Sequence, residues 1–380
     1  MVHQQRLIDT FMELVQIDSE TRAERAICDR LIELFRGLGL TVQEDDSAVR
    51  TQHGAGNLIA TWPATLGMER VVPMLFTAHM DTVAPGRGIR PHIDADGILR
   101  SDGTTILGSD DKAGIAAMIE AIRAIDEADK PHGPIQFVIT SGEESGLVGA
   151  RAMDPALLFA QYGFALDSDG QMGMICVAGP TQAKLKIQVN GKSAHAGLNP
   201  EQGISAITVA AKAIARMPLG RIDAETTANI GRFEGGGATN VVTDHVVITA
   251  EARSLHHEKM VAQVAAMRQA LQSATAEYGA TFEFEETILY PAFHVAEHEP
   301  VLQVAAAAFA SLGIPSRTFS SGGGSDANIF NGMGIPTVNL AIGYEQIHTV
   351  HEHIRIQDLV DTTRTVIAII EQSLQQRHRH

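Results

Sequence analysis

Several things are scarce in this chain. Only two cysteines, Cys28 and Cys176, occur in 380 residues, each inside an apolar stretch, AICDRL and GMICVAG. No disulfide framework and no cysteine-based metal site can be built from them, so both are expected to be small buried hydrophobes. Cationic charge is also short: 29 Lys and Arg stand against 45 Asp and Glu, a formal net charge of −16. Nucleic acid is therefore not an expected partner, since phosphate binding needs a clustered cationic surface. No uninterrupted apolar run reaches the roughly 18 to 20 residues needed to cross a bilayer. The opening MVHQQRLIDTFMELVQ has no cationic start followed by an apolar block. Its apolar residues recur instead as Leu7, Phe11, Leu14 and Val15, one face of a helix. Internal repeats and low-complexity linkers are absent too. The expectation is a soluble, cytoplasmic chain with no membrane partner.

What is present is ordinary globular material, 44% hydrophobic and 19% charged, in a chain longer than a single core usually supports. Two domains are expected. Thr21 and Glu24 suggest a capping box opening the helix RAERAICDRLIELFRGLGL, with Gly-Leu-Gly as its stop. NLIATW, RVVPMLFTAHM, PIQFVIT and YGFALD read as strands alternating with the helices DKAGIAAMIEAIRAI and GLVGARAM. That rhythm predicts an α/β fold, a mostly parallel mixed sheet with helices on both faces. After about Gly179 the texture changes. KLKIQVNGKSA, TTANIGRFEGG, VVTDHVVITAEARS and FEFEETILY read as four antiparallel strands, with two helices between them. This predicts an inserted ferredoxin-like α+β module over 180–290, interrupting a discontinuous α/β domain over 1–179 and 291–380. The α/β texture resumes with VLQVAAAAFASLG, SSGGGSDANIF, IPTVNLA and LVDTTRTVIAIIEQSLQQ, and the tail QQRHRH is expected to be solvated.

In open α/β sheets ligands collect at the carboxyl ends of strands. The polar residues just after the predicted strands are His79 and Asp81, Asp110 and Asp111, Glu143 and Glu144, Asp167 and Asp169, and His348 and His351. Each alone has a structural explanation: a hydrogen-bonded histidine, an acidic helix cap, a solvated glutamate. Their coincidence on one sheet edge, as oxygen and nitrogen donors, points to divalent metal. Charge supports a pair of ions. Three carboxylates and a bridging hydroxide balance two divalent cations, with two neutral imidazoles completing the set. Asp110, Glu144 and Asp167 with His79 and His348 meet that sum. A base must still take the proton of the attacking water. The two adjacent glutamates then divide the work, Glu144 as ligand and Glu143 as base.

HMDTV, SDGTTILGSDDKAGIAA, SGEESG and HTVHE, in that order, resemble the aminoacylase/carboxypeptidase family of two-metal peptidases, and most of all its peptidase T-like (tripeptide aminopeptidase) branch. The resemblance runs over nearly the whole chain. It implies a metallopeptidase in which His79, Asp110 and Asp167 hold one ion, and Asp110, Glu144 and His348 the other, with zinc as the expected metal. It implies that Asp81 orients His79 and that the Asp110–Asp111 peptide is cis. His348 is preferred to His351 because it stands four residues before Glu352, and Asp167 to Asp169 because it directly follows the strand; FALDSDG departs slightly from the branch's strand-Asp-Gly-Gly. The inserted module would be a lid and dimerisation domain. There His195 would steady the developing oxyanion in a neighbouring subunit, and Asn240 and Arg253 would hold the substrate's carboxylate end. The expected substrate is a tripeptide with a free amino terminus, with a dipeptide or an N-acyl amino acid as the alternative on the same site. A binding protein on an inactive scaffold is the non-enzymatic alternative.

Overall fold

The computed structural model describes residues 1–376; the two histidines of the QQRHRH tail lie outside the described residues. The chain divides into two compact units. One comprises Met1–Ala178, His294–Ser321 and the chain from Ser325 onward; the other comprises Gly179–Phe293 with the three glycines Gly322–Gly324.

In the first unit the runs MLFTAH, IQFVIT and TVNLA are buried along their whole length, as strands covered on both faces must be. Four strands form its parallel centre, in the order Ile135–Thr140, Met74–His79, Tyr162–Ser168 and Thr337–Ala341. Leu58–Trp62 and then Thr41–Glu44 continue one side antiparallel, and Met174–Gly179 runs antiparallel on the other. Register across the centre is marked by a row of phenylalanines. Phe76 stands opposite Phe137 on one neighbour and Phe164 on the other, with ring centroids 5.8 and 5.5 Å away. Cross-strand aromatic pairs of this kind stabilise one alignment over its neighbours. The same register brings His79 opposite Thr140, so the loops leaving these two strands start side by side.

The helix Ser109–Glu127 is buried almost all round between its start and Ile125, which a surface helix could not be. Its second turn contains Gly114, where a Cβ would stand 2.7 Å from Asp111 Oδ1 and 2.9 Å from the Leu166 carbonyl. Only glycine lets this helix lie so close to the strand Tyr162–Ser168. A second, small sheet pairs Tyr344–Glu345, His353–Arg355, Ile98–Arg100 and His92–Ile93, and the loop between its first two strands carries His348 and Glu352. Sequence periodicity does not reveal this sheet, because its strands are only two or three residues long.

The expected capping box is not formed. The helix Arg25–Gly37 has no side-chain cap. The Thr21 hydroxyl is used 60 residues away, on Asp81, while Glu24 accepts the backbone N–H groups of Arg22 and Gly54.

In the second unit the strands run in the order Thr226–Gly235, His245–Ser254, Thr181–Asn190, Thr281–Tyr290, all antiparallel. With the helices Ala206–Arg216 and His257–Tyr278 this is a βαββαβ arrangement of ferredoxin-like topology. One addition was not anticipated: the two-residue strand Gly220–Arg221 pairs beyond Thr226–Gly235. Alternation in the long strands sends Leu185, Ile187, Val189, Val246 and Ile248 inward, where they pack with Val209, Met260, Met267 and Leu271.

Candidate metal centre

His79 ends a buried strand, so its ring enters the loops beyond the sheet from a fixed base. Its Nδ1 lies 2.9 Å from the Asp81 carbonyl oxygen and 3.6 Å from Asp81 Oδ1. A carbonyl can only accept, so Nδ1 carries the hydrogen and Nε2 is left with its lone pair. That Nε2 stands 3.0 Å from Asp110 Oδ1 and 3.7 Å from Asp167 Oδ1.

Asp110 lies where regular helix has not yet begun; it and Asp111 have non-helical backbone angles and are joined by a cis peptide. Glu352 holds this segment. Its buried carboxylate accepts the backbone N–H groups of Leu107 and Gly108 (2.9 Å each) and Asp110 (3.1 Å), and the Ser109 hydroxyl (2.6 Å). An anion at the start of a helix satisfies donors that would otherwise be orphaned. The two Asp110 oxygens consequently face different partners: Oδ1 meets His79, and Oδ2 lies 3.2 Å from His348 Nε2.

Asp81 is fully buried and does more than face His79. Its Oδ1 accepts the Glu143 backbone N–H (2.9 Å), and its Oδ2 accepts that of Glu144 (3.3 Å) and the Thr21 hydroxyl (2.5 Å). Asp81 therefore holds the histidine through its carbonyl and the loop of paired glutamates through its carboxylate. The two glutamate side chains diverge, as neighbours in a non-helical loop must. Glu144 Oε1 reaches His348 Nε2 at 3.0 Å, whereas the Glu143 carboxylate has no hydrogen-bond partner among the described residues. Asp167 is fixed at its backbone by the Asn339 side chain, which accepts its N–H (3.0 Å) and donates to its carbonyl (2.6 Å); Tyr344 donates its hydroxyl to Asp167 Oδ1 at 3.1 Å. His348 has φ of +62° and is the most exposed member of the group, half of its side chain being accessible. His351 and Asp169 are exposed on their loops.

Asp111 also belongs to this cluster. His79, Asp111 and Asp167 offer one donor atom each within 4.8 Å of one another, as do His79, Asp110 and Glu144. Asp111 Oδ2 accepts the His79 backbone N–H (3.2 Å), and its Oδ1 has no partner among the described residues. Asp326 is a further buried carboxylate: its Oδ2 accepts the Thr140 hydroxyl (2.5 Å), and its Oδ1 is unpartnered among the described residues.

So many acidic groups in one buried place are electrostatically strained without cations. Burial, with neighbouring carboxylates adding to it, pushes Asp111, Glu143 and Asp167 well above the usual carboxylate range, and burial lifts Asp326 to about 6. Burial acts the same way on Asp110 and Asp81, but the imidazoles outweigh it and hold both below their ordinary value. Burial disfavours a charged His79, yet Asp110 and Asp81 raise it well above normal; contacts with Asp110 and Glu144 raise His348 to about 10. Both imidazoles thus favour a positive charge beside these carboxylates, and protons and metal ions compete for their ring nitrogens. Spacing fits metal as well. Ligand atoms of a tetrahedral zinc-type ion at 2.0–2.1 Å stand about 3.3 Å apart, and the four contacts among His79, Asp110, Asp167, Glu144 and His348 are 3.0, 3.7, 3.2 and 3.0 Å. Oxygen and imidazole donors, two orphaned carboxylate oxygens and these separations all suit a pair of divalent ions.

In the second unit, His195 and Asn240 lie on two loop segments joined by an isolated bridge. His195 bridges Val241, and the Ala196 N–H donates to the Asn240 carbonyl at 2.9 Å. His195 Nδ1 accepts the N–H groups of Gly197 and Leu198, both at 3.1 Å. Its hydrogen therefore sits on Nε2, on an exposed side chain. Arg253 is paired with Glu251 through two contacts. Of the glycines in SSGGGSDAN, Gly324 has a packing role: a Cβ there would lie 2.3 Å from the Tyr290 ring.

Sequence reasoning missed Thr21, Tyr344, Asn339 and Asp326, and saw Glu352 only as a spacing marker. None carries a local signal; each acts across more than 50 positions of chain.

Known proteins resemble the chain along its full length. The aminopeptidase PepT from Bacillus cereus ATCC 10987 is 57% identical, with 98% of this chain and 99% of that chain covered and a TM-score of 0.91. A tripeptidase from Staphylococcus aureus subsp. aureus mu50 is 46% identical, with 99% and 100% covered and a TM-score of 0.95. YXEP of Bacillus subtilis, a dinuclear metal-binding peptidase, is 18% identical over 98% and 99% of the two chains and shares the fold, with a TM-score of 0.75. Residues 75–372 match the model of peptidase family M20/M25/M40. The chain, with its cluster of carboxylates and imidazoles at the strand ends, belongs to that peptidase family.

Proposed function

We propose that this M20 peptidase removes the amino-terminal residue from short peptides, tripeptides above all, using two zinc ions. The similarity to an aminopeptidase and a tripeptidase supports the substrate class. The observation that carries the mechanism is Asp110, whose two oxygens face His79 on one side and His348 on the other. His79, Asp110 and Asp167 would hold one ion, and Asp110, Glu144 and His348 the other. When bound, the ions polarise the scissile carbonyl and acidify the attacking water.

The remaining work falls to side chains. Asp81 keeps the His79 hydrogen on Nδ1, so that Nε2 stays free to bind metal, and sets the backbone of the glutamate loop. The Glu143 carboxylate, without a hydrogen-bond partner among the described residues, takes the proton of the water and delivers it to the leaving amine. His195, with its hydrogen on Nε2, is suited to donate to the developing oxyanion. We assign it to the site of a second copy, so that the active form is a homodimer joined through the inserted module, which acts as a lid. Asn240 and Arg253 receive the carboxylate end of the peptide. We place the enzyme in the cytoplasm; no helix among the described residues is long and apolar enough to cross a membrane.

Glu143→Gln tests the mechanism. It should retain metal and fold while kcat falls by about 10²- to 10⁴-fold, the usual contribution of a general base. Unchanged turnover would remove Glu143 from the chemistry. A panel of di- and tripeptides with free and acylated amino termini tests the substrate; preferential cleavage of the acylated members would replace the aminopeptidase reading with a deacylase.

A further inference from the structure

The strand His245–Ser254 alternates strictly, with Val246, Ile248, Ala250 and Ala252 buried toward the helices. Glu251 and Arg253 therefore share the opposite face, two positions apart. There they form a side-on fork. Arg253 Nε donates to Glu251 Oε1 at 2.9 Å, and Nη2 donates to Oε2 at 3.1 Å. Gln182, directly across from Arg253 on the neighbouring strand and itself buried, donates its amide to Oε2 at 2.6 Å. Three hydrogen bonds thus fix the carboxylate, and the carboxylate fixes the guanidinium in the plane of the fork. Among the described residues only the Nε edge is consumed; the Nη1 end, and one hydrogen of Nη2, stay available to a ligand. A bidentate acceptor such as a carboxylate can still approach end-on.

We propose that Glu251 is a positioning residue that sets Arg253, before substrate arrives, to receive the peptide's carboxyl terminus end-on. This rests on the assignment of Arg253 to the substrate carboxylate given above. A free arginine would have to lose its rotamer freedom on each binding event; one already pinned by Glu251 and Gln182 does not, and that saving appears as affinity. The partner's negative charge also limits attraction for anions that lack the carboxylate shape, so the pair selects by geometry as well as by charge.

The test compares tripeptides bearing a free carboxyl terminus with the same tripeptides amidated. In Glu251→Gln the amide nitrogen faces donors on Arg253 or Gln182, so the fork cannot re-form. KM for the free acids should rise about three- to tenfold, the cost of re-ordering one long side chain. With kcat within about twofold and KM for the amides unchanged, the preference for the acid would shrink by the same factor. Glu251→Asp keeps the charge but cannot span both nitrogens in the same register, and should shift the ratio in the same direction by less. A rise of KM for acids and amides alike, or no change in their ratio in either variant, overturns the proposal. Arg253→Ala separates the two layers of the argument. If it erases the preference for the acid while Glu251→Gln leaves it intact, the positioning role alone fails; if Arg253→Ala leaves the preference intact, the assignment of Arg253 fails and the proposal with it.

Discussion

Replacing Glu352 by glutamine should loosen the metal centre without a single ligand being touched. The Glu352 side chain is 2% exposed and is the common acceptor for four donors on Leu107, Gly108, Ser109 and Asp110. Glutamine keeps one accepting oxygen and turns the other position into a donor. The least costly orientation leaves the oxygen with Leu107 and Gly108 and sets the new NH₂ toward Ser109, whose hydroxyl can turn and accept. The Asp110 N–H then has nothing to donate to. Each hydrogen bond to a charged group is worth about 1.5–3 kcal/mol. Losing one outright and weakening the rest costs about 3–5 kcal/mol by the same scale. A native domain has about 5–15 kcal/mol in reserve, so the chain should still fold, but the strain lands on the backbone of Asp110. Disturbing a group that holds a ligand in place commonly lowers metal affinity by about 10- to 100-fold. Chelator-competition titration should show that loss, and kcat at saturating metal should fall as well, since the Asp110 oxygens no longer meet both histidines at once. A folded Glu352→Gln enzyme with affinity and kcat within about twofold of the parent would refute the claim that this carboxylate sets the position of Asp110.

The histidines predict opposite pH trends for the metal-free and metal-loaded protein. His348 is raised from 6.5 to about 10 in the fold, so its ion pairs stabilise metal-free protein fully below the unfolded value and are lost as pH climbs through the folded one. Thermal unfolding of chelated protein should weaken across that window, while metal affinity, which needs neutral imidazole, should strengthen; a flat affinity profile from pH 6 to 10 would contradict this. Thr21→Val removes one hydrogen bond to buried Asp81 at nearly constant volume. It should reduce kcat by about tenfold, corresponding to about 1.5 kcal/mol on a charged partner, with a smaller effect on KM. Wild-type kinetics in that variant would show that Asp81 needs no help from Thr21.

The legible parts of this protein were those governed by local periodicity. Short, mostly apolar runs such as MLFTAH and IQFVIT, of strand length and rich in aromatic or β-branched residues, point to covered strands, and the change to alternation at KLKIQV announces a half-open sheet. The polar residues following those strands were found because parallel strands deliver their ends to one edge. What escaped was long-range use of unremarkable residues. Thr21 followed by Glu24 satisfies a helix-start pattern, yet burial of Asp81 next to that turn offers the hydroxyl a charged acceptor, and the tertiary contact displaces the local one. Glu352 looked like spacing because its four donors lie some 240 positions earlier in the chain. Asp111 stands among the strand-end carboxylates of the sequence without an assigned role, and its carboxylate turns back to the His79 backbone. The strand Gly220–Arg221 was invisible because two residues carry no period.

The second unit begins and ends in contact with itself: the Thr181 hydroxyl donates to the Tyr290 carbonyl at 3.0 Å, and Gln182 pairs with Tyr290 across adjacent strands. An excursion of more than a hundred residues whose two feet already touch imposes no gap on the host. Such a module can be enlarged, trimmed or exchanged in evolution without re-spacing the sheet that it interrupts. Chimaeras that swap this segment between relatives, cut beside Thr181 and Tyr290, accordingly test whether the proposed contacts of Asn240 and Arg253 set substrate preference.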